Sequence, residues 1–230
     1  MASIAKFLAD REIALISLDL DDTLIDTDAG SVARLEAAVR RVHEVDPHVD
    51  PARTRAAFEA GMLANPVTVG RMPAFADALG VARDSEVAVA ARDAYNAIIL
   101  DVLEWVEGAE AILAPLRARY RLAIVTNGAT DFQWPKVRKF GLQDLVDYVI
   151  VSGDYGVRKP DPAIFEHLLA KAGADAARTA HVGDSIHTDV AGARAAGLTA
   201  VWYPPRHREH DDPGEHTPHA VIETLADLLD

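Results

Sequence analysis

The sequence predicts an open, doubly wound α/β sheet, because short apolar segments alternate along it with helical patterns. An acidic motif follows the first apolar segment, and a long helical stretch then interrupts the alternation. The alternation indicates the class of fold, the acidic motif indicates where chemistry takes place, and the interruption indicates an inserted domain.

Composition limits the classes of protein to which the chain can belong. Its 230 residues can form one large domain or a core with an insertion, and 50% hydrophobic with 26% charged residues is typical of a folded, water-soluble protein. The formal net charge of -13 argues against a nucleic-acid polymer or an anionic membrane as partner. The absence of cysteine excludes cysteine nucleophiles and thiolate zinc sites in this chain.

Targeting signals are also not apparent. Residues 1–10 lack the apolar stretch of a signal peptide, and no apolar run is long enough to span a bilayer. We therefore expect a cytoplasmic protein without a membrane partner, and the sequence leaves its oligomeric state open.

Six apolar runs have the length expected of buried parallel strands, although the last is brief. They are Ile13–Leu18, Leu122–Val125, Val146–Val151, Ala180–Val182, Thr199–Tyr203 and Ala220–Ile222. Helical patterns lie between them at 109–120, 162–172 and 187–196. In the second of these helices a proline lies near the start and Gly173 follows the end, which is typical of helix boundaries.

Residues 27–104 contain no strand pattern and are predicted to form an all-helical insertion after the first strand. The predicted helices are Val32–Val45, Pro51–Leu63, Met72–Leu79 and Ser85–Leu103. The expected domains are a core of residues 1–26 and 105–230 and a helical domain of residues 27–104.

Side chains suited to catalysis stand at or just beyond the carboxyl ends of four predicted strands, where ligand sites of open α/β sheets lie. They are Asp19 and Asp21, Thr126 and Asn127, Lys159, and Asp184 with Asp189. Asp19 and Asp21 are two residues apart, so on a strand their carboxylates would point the same way and repel each other. A divalent cation would relieve that repulsion.

In this order the motifs resemble those of the haloacid dehalogenase superfamily of hydrolases. They are Asp19-Leu-Asp21-Asp-Thr-Leu24, Thr126-Asn-Gly128, Lys159-Pro160 and Gly183-Asp184-Ser-Ile-His-Thr-Asp189. The resemblance covers the core from Ala14 to Tyr203 and implies a Rossmann-like sheet. It also implies that the helical insertion is the mobile cap that this superfamily carries after its first motif.

The same resemblance implies a mechanism. Asp19 is expected to be the nucleophile that accepts a phosphoryl group as an aspartyl-phosphate, and Asp21 to be the general acid and then the general base. Thr126, Asn127 and Lys159 are expected to bind the phosphoryl group, and Thr126 and Lys159 also to act in catalysis.

The implied cofactor is Mg²⁺, which prefers oxygen ligands and substrate phosphate. Its expected ligands are the Asp19 carboxylate, the backbone carbonyl of Asp21, and Asp184. Asp189 is expected to support the metal site or to orient Lys159.

The expected function is that of a Mg²⁺-dependent phosphatase acting on a small phosphate ester of the nucleotide, sugar phosphate or phosphoglycolate type. Thr126-Asn-Gly together with Gln133, Lys136 and Gly141-Leu142 resembles the branch with pyrimidine nucleotidases and N-acylneuraminate-9-phosphatases. Six arginines of the insertion, from Arg34 to Arg71, are candidate contacts for the anionic part of the substrate, with Arg71 favoured.

Three other functions stay open. A sugar-phosphate mutase of the same superfamily would share the chemistry. A haloacid dehalogenase would use Asp19 against carbon without Mg²⁺, and that branch lacks the second carboxylate of the first motif, which Asp21 supplies here. A non-catalytic phospho-acceptor signalling domain also has such residues on a doubly wound sheet, but it is shorter and has no helical insertion.

Overall fold

The computed structural model describes residues 3–27, 29–64, 68–204 and 216–230, and the side chains of 62–64 and 68–72 lie outside the description. The chain forms two compact units, one of Met1–Asp26 with Glu104–Asp230 and one of Thr27–Leu103. Within the described ranges, no helix has the length and apolarity needed to cross a membrane.

The strands all belong to the first unit. They are β1 (Leu15–Leu18), β2 (Ile25–Asp26), β3 (Glu104–Trp105), β4 (Arg121–Thr126), β5 (Tyr148–Val151), β6 (Thr179–Gly183), β7 (Thr199–Trp202) and β8 (Ala220–Val221). Each predicted apolar run overlaps one strand of the main sheet. The short antiparallel pair of β2 and β3 was not predicted, because two-residue strands have no periodicity to detect.

The main sheet has six strands in the order β5-β4-β1-β6-β7-β8, and every neighbouring pair in it is parallel. This confirms the predicted doubly wound α/β class. All four residues of β1 are fully buried between β4 and β6, which explains why the run reads as continuously apolar apart from Ser17. The strand order reverses beside β1, and a ligand crevice is expected there.

Helices surround the sheet in the first unit and make up the second unit. They are α1 (Ile4–Asp10), α2 (Ser31–Val45), α3 (Pro51–Ala64), α4 (Thr68–Leu79), α5 (Glu86–Ala97), α6 (Ile99–Val102), α7 (Ala109–Arg117), α8 (Thr130–Lys139), α9 (Leu142–Leu145), α10 (Ser152–Tyr155), α11 (Ala163–Ala172) and α12 (Ala191–Ala195). A π-helical turn, Ile186–Val190, precedes α12.

One helix prediction needs correction, and the helices α1, α9 and α10 were not predicted. The stretch 85–103 was predicted as one helix, but it divides at Ile98 into α5 and α6, where the backbone leaves the helical conformation. The structure also contains α8, which the sequence analysis did not predict. Pro135 lies inside α8, and a proline usually indicates that a helix ends. The apolar residues of α8 also show only a weak helical periodicity, so the sequence did not indicate a helix there.

The helical unit has a hydrophobic core of its own. Phe58 stacks on Tyr95 with ring centroids 5.3 Å apart and on Phe75 with centroids 4.2 Å apart. Arg34, a candidate substrate contact, is 1% exposed, and its guanidinium lies 3.9 Å from the centre of the Tyr95 ring. The side chain of Arg71, the favoured candidate, lies outside the described residues.

Candidate active site

The first motif lies in a tight turn that follows β1. The Asp19 N–H still bonds to Val182 O at 2.9 Å, but the N–H groups of Leu24 and Ile25 then both donate to Leu20 O. These bonds reverse the chain within a few residues, so the strand ends at Leu18. Asp19 and Asp21 therefore lie in the turn beyond the strand and not on the strand itself, and the two carboxylates have different partners.

Asp19 is buried against Lys159. The ammonium group of Lys159 donates to Asp19 Oδ1 at 2.5 Å and to Val125 O at 2.8 Å, and it lies 2.6 Å from Asp189 Oδ1. Lys159 is 2% exposed, so its three hydrogens serve three acceptors without water. Lys159, which lies 140 residues beyond Asp19 in the chain, thus links the first and last motifs.

Asp189 is held from both sides. Besides Lys159, its Oδ1 lies 3.1 Å from His181 Nε2, and its Oδ2 accepts from the Ser185 N–H at 3.0 Å. Gly183 makes this position possible, because a Cβ there would lie 2.3 Å from Asp189 Cγ. Both carboxylate oxygens of Asp189 are thus already engaged by protein donors.

Burial and charge divide the carboxylates into two kinds. Burial raises the pKa of Asp19 to about 7; Lys159 lowers it, and Asp189 and Asp21 add to the rise. Burial likewise raises the pKa of Asp184 well above its usual range, with Asp189 and Asp19 adding to the effect. The pKa of Asp189 is shifted in the opposite direction. Burial alone would raise it, but Lys159 and His181 hold it below the usual range.

Burial and neighbouring charges also set the pKa values of the lysine and the histidine of the site. Burial alone would lower the pKa of Lys159, but Asp189 and Asp19 outweigh it and the pKa is raised. Lys159 therefore carries its charge throughout the physiological range. Burial lowers the pKa of His181, which favours the neutral imidazole and a donated Nε2–H···Asp189 hydrogen bond.

The acidic cluster suits a hard divalent cation. Asp19, Asp184 and Asp189 each have a carboxylate oxygen within 4.8 Å of the others. Oxygen-only donors of this kind match Mg²⁺, and burial together with the neighbouring carboxylates raises the pKa values of Asp19 and Asp184, so a cation beside them would be favourable. Since Asp189 is engaged by protein donors, Asp19 and Asp184 are the carboxylates that fit a metal ion.

The second motif begins at Thr126, the last residue of β4, and binds the backbone at Lys159. The Asn127 side chain donates to Lys159 O at 2.9 Å and accepts from the Lys159 N–H at 2.8 Å. Both ends of its carboxamide are therefore engaged with the backbone of Lys159. Thr126, 1% exposed, accepts a hydrogen bond from Gln133 Nε2 at 2.7 Å.

Asp21 is bound by two side chains of α8 that the sequence analysis did not assign to the site. Lys136 Nζ donates to Asp21 Oδ1 at 2.7 Å and to Oδ2 at 2.9 Å, and Gln133 Nε2 donates to Oδ2 at 2.9 Å. A signal was present: Gln133 and Lys136 are three residues apart and share a helix face with buried Val137. Because no helix was predicted for residues 130–139, the spacing of three residues did not indicate that Gln133 and Lys136 share a face.

All seven residues predicted for the site thus lie in one connected cluster. Lys159 joins Asp19, Asp189 and Asn127; Asp184 lies beside Asp19 and Asp189; and Gln133 joins Asp21 to Thr126.

Comparisons with known proteins agree with this geometry. Glyceraldehyde 3-phosphate phosphatase of Pyrococcus abyssi is 31% identical over 83% of this chain and 81% of its own length. Pyrimidine 5'-nucleotidase YjjG of Escherichia coli is 35% identical over 46% and 47% of the two chains, and N-acylneuraminate-9-phosphatase of Rattus norvegicus is 27% identical over 83% and 82%. The predicted resemblance to this branch is confirmed.

A solved structure supports the same family. The crystal structure of a 2-haloacid dehalogenase from Pseudomonas syringae pv. Tomato has a TM-score of 0.63 and 30% identity, covering 94% of this chain and 96% of that one. The family described as haloacid dehalogenase-like hydrolase matches residues 13–197. The chain is therefore an enzyme that belongs to the haloacid dehalogenase-like hydrolase family.

Proposed function

We propose that this hydrolase is a Mg²⁺-dependent phosphatase that acts on small phosphate monoesters through an aspartyl-phosphate on Asp19. The observation that carries the proposal is the contrast between the two carboxylates of the first motif. Asp19 is buried against Lys159 and lies beside Asp184, whereas the side chain of Asp21 is 30% exposed and paired with a different lysine, Lys136. Two carboxylates in such different environments are suited to different roles.

In the first step a carboxylate oxygen of Asp19 attacks phosphorus, and the bond from phosphorus to the ester oxygen breaks. Asp21 gives a proton to that oxygen, so the product leaves as an alcohol. In the second step water attacks the aspartyl-phosphate while Asp21 takes one proton from it. Inorganic phosphate leaves and both aspartates return to their starting states.

Three groups are positioned to bind the phosphoryl oxygens. The three hydrogens of the Lys159 ammonium already have acceptors, one of them on the proposed nucleophile, so its contribution would be its positive charge beside the oxygens on which negative charge develops. Thr126 Oγ1 accepts from Gln133, which leaves its own hydrogen available to a phosphoryl oxygen. The backbone N–H of Asn127 is the third donor.

The groups that would hold Mg²⁺ are the carboxylates of Asp19 and Asp184 and the backbone carbonyl of Asp21. A bound Mg²⁺ would polarise the phosphoryl group and reduce the repulsion between an anionic substrate and the acidic cluster. Asp189 would support the site by holding Lys159, because both of its oxygens are engaged by protein donors.

The dehalogenase alternative is favoured by one observation, the 30% identity with a 2-haloacid dehalogenase. Attack on carbon would use the same Asp19, but it offers no task for a positioned proton donor at Asp21. Asp21 is held by three hydrogen bonds from Lys136 and Gln133, which supports phosphate chemistry. A mutase would use the phosphatase residues as well and differs in the fate of the phosphoryl group.

The substrate is proposed to be a small phosphorylated metabolite, and the helical unit is proposed to be the cap that selects it. The relatives named for glyceraldehyde 3-phosphate, pyrimidine nucleotides and N-acylneuraminate 9-phosphate define the first panel to be screened. We also propose the expected domain division, with a catalytic core of residues 1–26 and 105–230.

The test measures phosphate release from p-nitrophenyl phosphate and from this panel, with Mg²⁺ and with a chelator. Halide release from 2-haloacids and isomer formation from sugar phosphates are measured in parallel. We expect phosphate release when Mg²⁺ is present and none with the chelator. Rapid acid quenching of the reaction should trap phosphate on the wild-type protein.

The decisive variant is Asp19→Asn, which should fold, release no phosphate and trap none. Asp22→Asn is the matched control: Asp22 lies in the same turn with φ near 60°, which asparagine tolerates, and its activity should stay close to wild type. Turnover by Asp19→Asn, or halide release without phosphate release, would refute the proposal.

A further inference from the structure

A buried lysine and a buried glutamine of helix α8 contact Asp21, the proposed proton-transfer residue. Lys136 and Gln133 are 2% and 1% exposed, yet their polar ends lie on the side chain of Asp21, which is 115 and 112 residues away in the chain. Burying an ammonium and a carboxamide costs free energy unless each is well paired. Here the ammonium of Lys136 and the carboxamide nitrogen of Gln133 both donate to the Asp21 carboxylate, so three hydrogen bonds orient that carboxylate.

The orientation of the Gln133 carboxamide is set by its surroundings. Its Nε2 lies 2.9 Å from Asp21 Oδ2, 2.7 Å from Thr126 Oγ1 and 2.8 Å from Asn127 O. A flipped amide would put its oxygen against the Asp21 carboxylate and the Asn127 carbonyl, and both contacts would be repulsive. The nitrogen therefore faces this group, and it joins the proposed phosphate-binding residues to the proposed acid–base residue.

Gly128 provides the room for this arrangement. A Cβ at position 128 would lie 2.6 Å from Gln133 Cγ, and φ of Gly128 is +154°. Lys136 is braced in turn by Phe132, whose ring centre lies 4.6 Å from Nζ.

We propose that Lys136 and Gln133 are positioning residues that hold the Asp21 carboxylate for proton transfer to the leaving oxygen. Because Gln133 also donates to Thr126, it aligns the phosphate-binding hydroxyl with the same carboxylate. This inference rests on the proposed phosphatase function and adds a task for two residues that do not touch the reacting atoms. It follows that loss of Lys136 should lower kcat/KM most for substrates whose leaving group must be protonated.

The first experiment compares Lys136→Met with wild type on an alkyl phosphate and on p-nitrophenyl phosphate. An alkoxide must be protonated to leave, whereas p-nitrophenolate leaves readily without a proton. kcat/KM reports the steps up to release of this group. We expect kcat/KM to fall by about 10–100-fold for the alkyl ester, as is typical for loss of an orienting partner, and by much less for p-nitrophenyl phosphate.

Matched variants separate positioning from general damage. Lys139→Met makes the same change at an exposed position of α8 and should leave both substrates near wild type. Lys136→Arg keeps the positive charge and should restore part of the loss on the alkyl ester. Gln133→Leu removes the donors to both Asp21 and Thr126, so it should lower kcat/KM for both substrates. Thermal denaturation of every variant establishes that it is folded.

The second experiment is a double-mutant cycle with Asp21→Asn. If Lys136 acts through Asp21, adding Lys136→Met to Asp21→Asn should cause almost no further loss on the alkyl ester. Equal losses on the two esters, or losses that multiply in the double variant, would overturn the inference and leave the phosphatase proposal standing. Absence of phosphate release by the wild-type protein would instead refute the proposed function, and with it the inference.

Discussion

At the scale of the residue, neighbouring carboxylates acquire different properties from their partners. Asp19 is buried beside Asp189 and Lys159, and its pKa is raised to about 7, chiefly by burial. Asp189 is more deeply buried than Asp19, yet its pKa is held low because Lys159 and His181 are within 3.1 Å of it. Burial alone therefore does not determine the charge of these groups; Asp189 has both the charge of Lys159 and a hydrogen bond from His181, whereas Asp19 has Lys159 alone.

The raised pKa of Asp19 predicts how stability changes with pH in a metal-free buffer. The folded state binds this proton more tightly than the unfolded state, whose pKa is 3.8, so the stabilisation is complete at low pH and is lost as the pH rises towards about 7. Asp19→Asn has no such proton. The free energy of unfolding of Asp19→Asn, minus that of wild type, should therefore increase from about pH 4 to about pH 7 and level off above.

Urea denaturation of both proteins with a chelator present, across this pH range, measures the difference. A difference that does not vary with pH would show that Asp19 has an ordinary affinity for protons in the folded protein.

At the scale of the element, the end of β6 shows how a strand positions a side chain several residues beyond it. Gly183 ends the strand, the π-helical turn Ile186–Val190 follows, and Asp189 folds back over the glycine. A side chain at 183 has no space, because its Cβ would lie 2.3 Å from Asp189 Cγ. The close approach of this turn to the strand end therefore sets the distance from Asp189 to Lys159.

We predict that Gly183→Ala displaces Asp189, lowers the free energy of unfolding by about 1–3 kcal/mol and sharply reduces kcat. The control is Gly173→Ala, at a left-handed residue with φ of +55° and nothing within 4 Å of its Cβ. That variant should lose stability through backbone strain but keep kcat. If both variants keep kcat, the packing of Asp189 on Gly183 has no role in the site.

The helices of the second unit are stabilised by aromatic packing of their own. Phe58 on α3 is 1% exposed and contacts both Phe75 and Tyr95. We predict that Phe58→Ala costs about 3–5 kcal/mol and that the loss appears as faster amide exchange within residues 27–103. Val32→Ala on α2, where the side chain is 70% exposed, is the control and should change exchange little. Faster exchange confined to the sheet would contradict this prediction.

At the scale of the whole molecule, a strongly acidic chain must handle an anionic substrate. With a net charge of -13 the protein repels phosphate at long range, so attraction has to be local. Lys159 supplies one charge, but Asp19 and Asp189 already share it. A divalent cation beside Asp19 and Asp184 would supply further positive potential at this point, which supports the proposed role of Mg²⁺.

We predict that Mg²⁺ raises the melting temperature of the wild-type protein in the absence of substrate. A ligand at 100 times its Kd stabilises by ~2.7 kcal/mol. Asp184→Asn should lose most of this shift, and Asp131→Asn, which changes an exposed carboxylate on α8, should retain it. Thermal denaturation against Mg²⁺ concentration measures the effect, and an equal shift in Asp184→Asn would place the metal elsewhere.

The sequence by itself determined the class of fold and the set of candidate residues. Buried parallel strands must be continuously apolar, so β1 and β4 to β7 were visible as runs, and chemistry at strand ends made Asp19, Thr126, Lys159 and Asp184 recognisable. These signals are local, because each depends on a few consecutive residues.

Only the tertiary structure decided which groups contact one another. The pairing of Asp21 with Lys136, the engagement of Asn127 by the Lys159 backbone and the contact of Asp189 with Gly183 all join distant segments or depend on a turn of unusual geometry. Such contacts depend on strand order, helix placement and side-chain packing, and short-range periodicity carries no information on them. That is why the candidate carboxylates could be picked out in the sequence, whereas the helix that holds one of them could not.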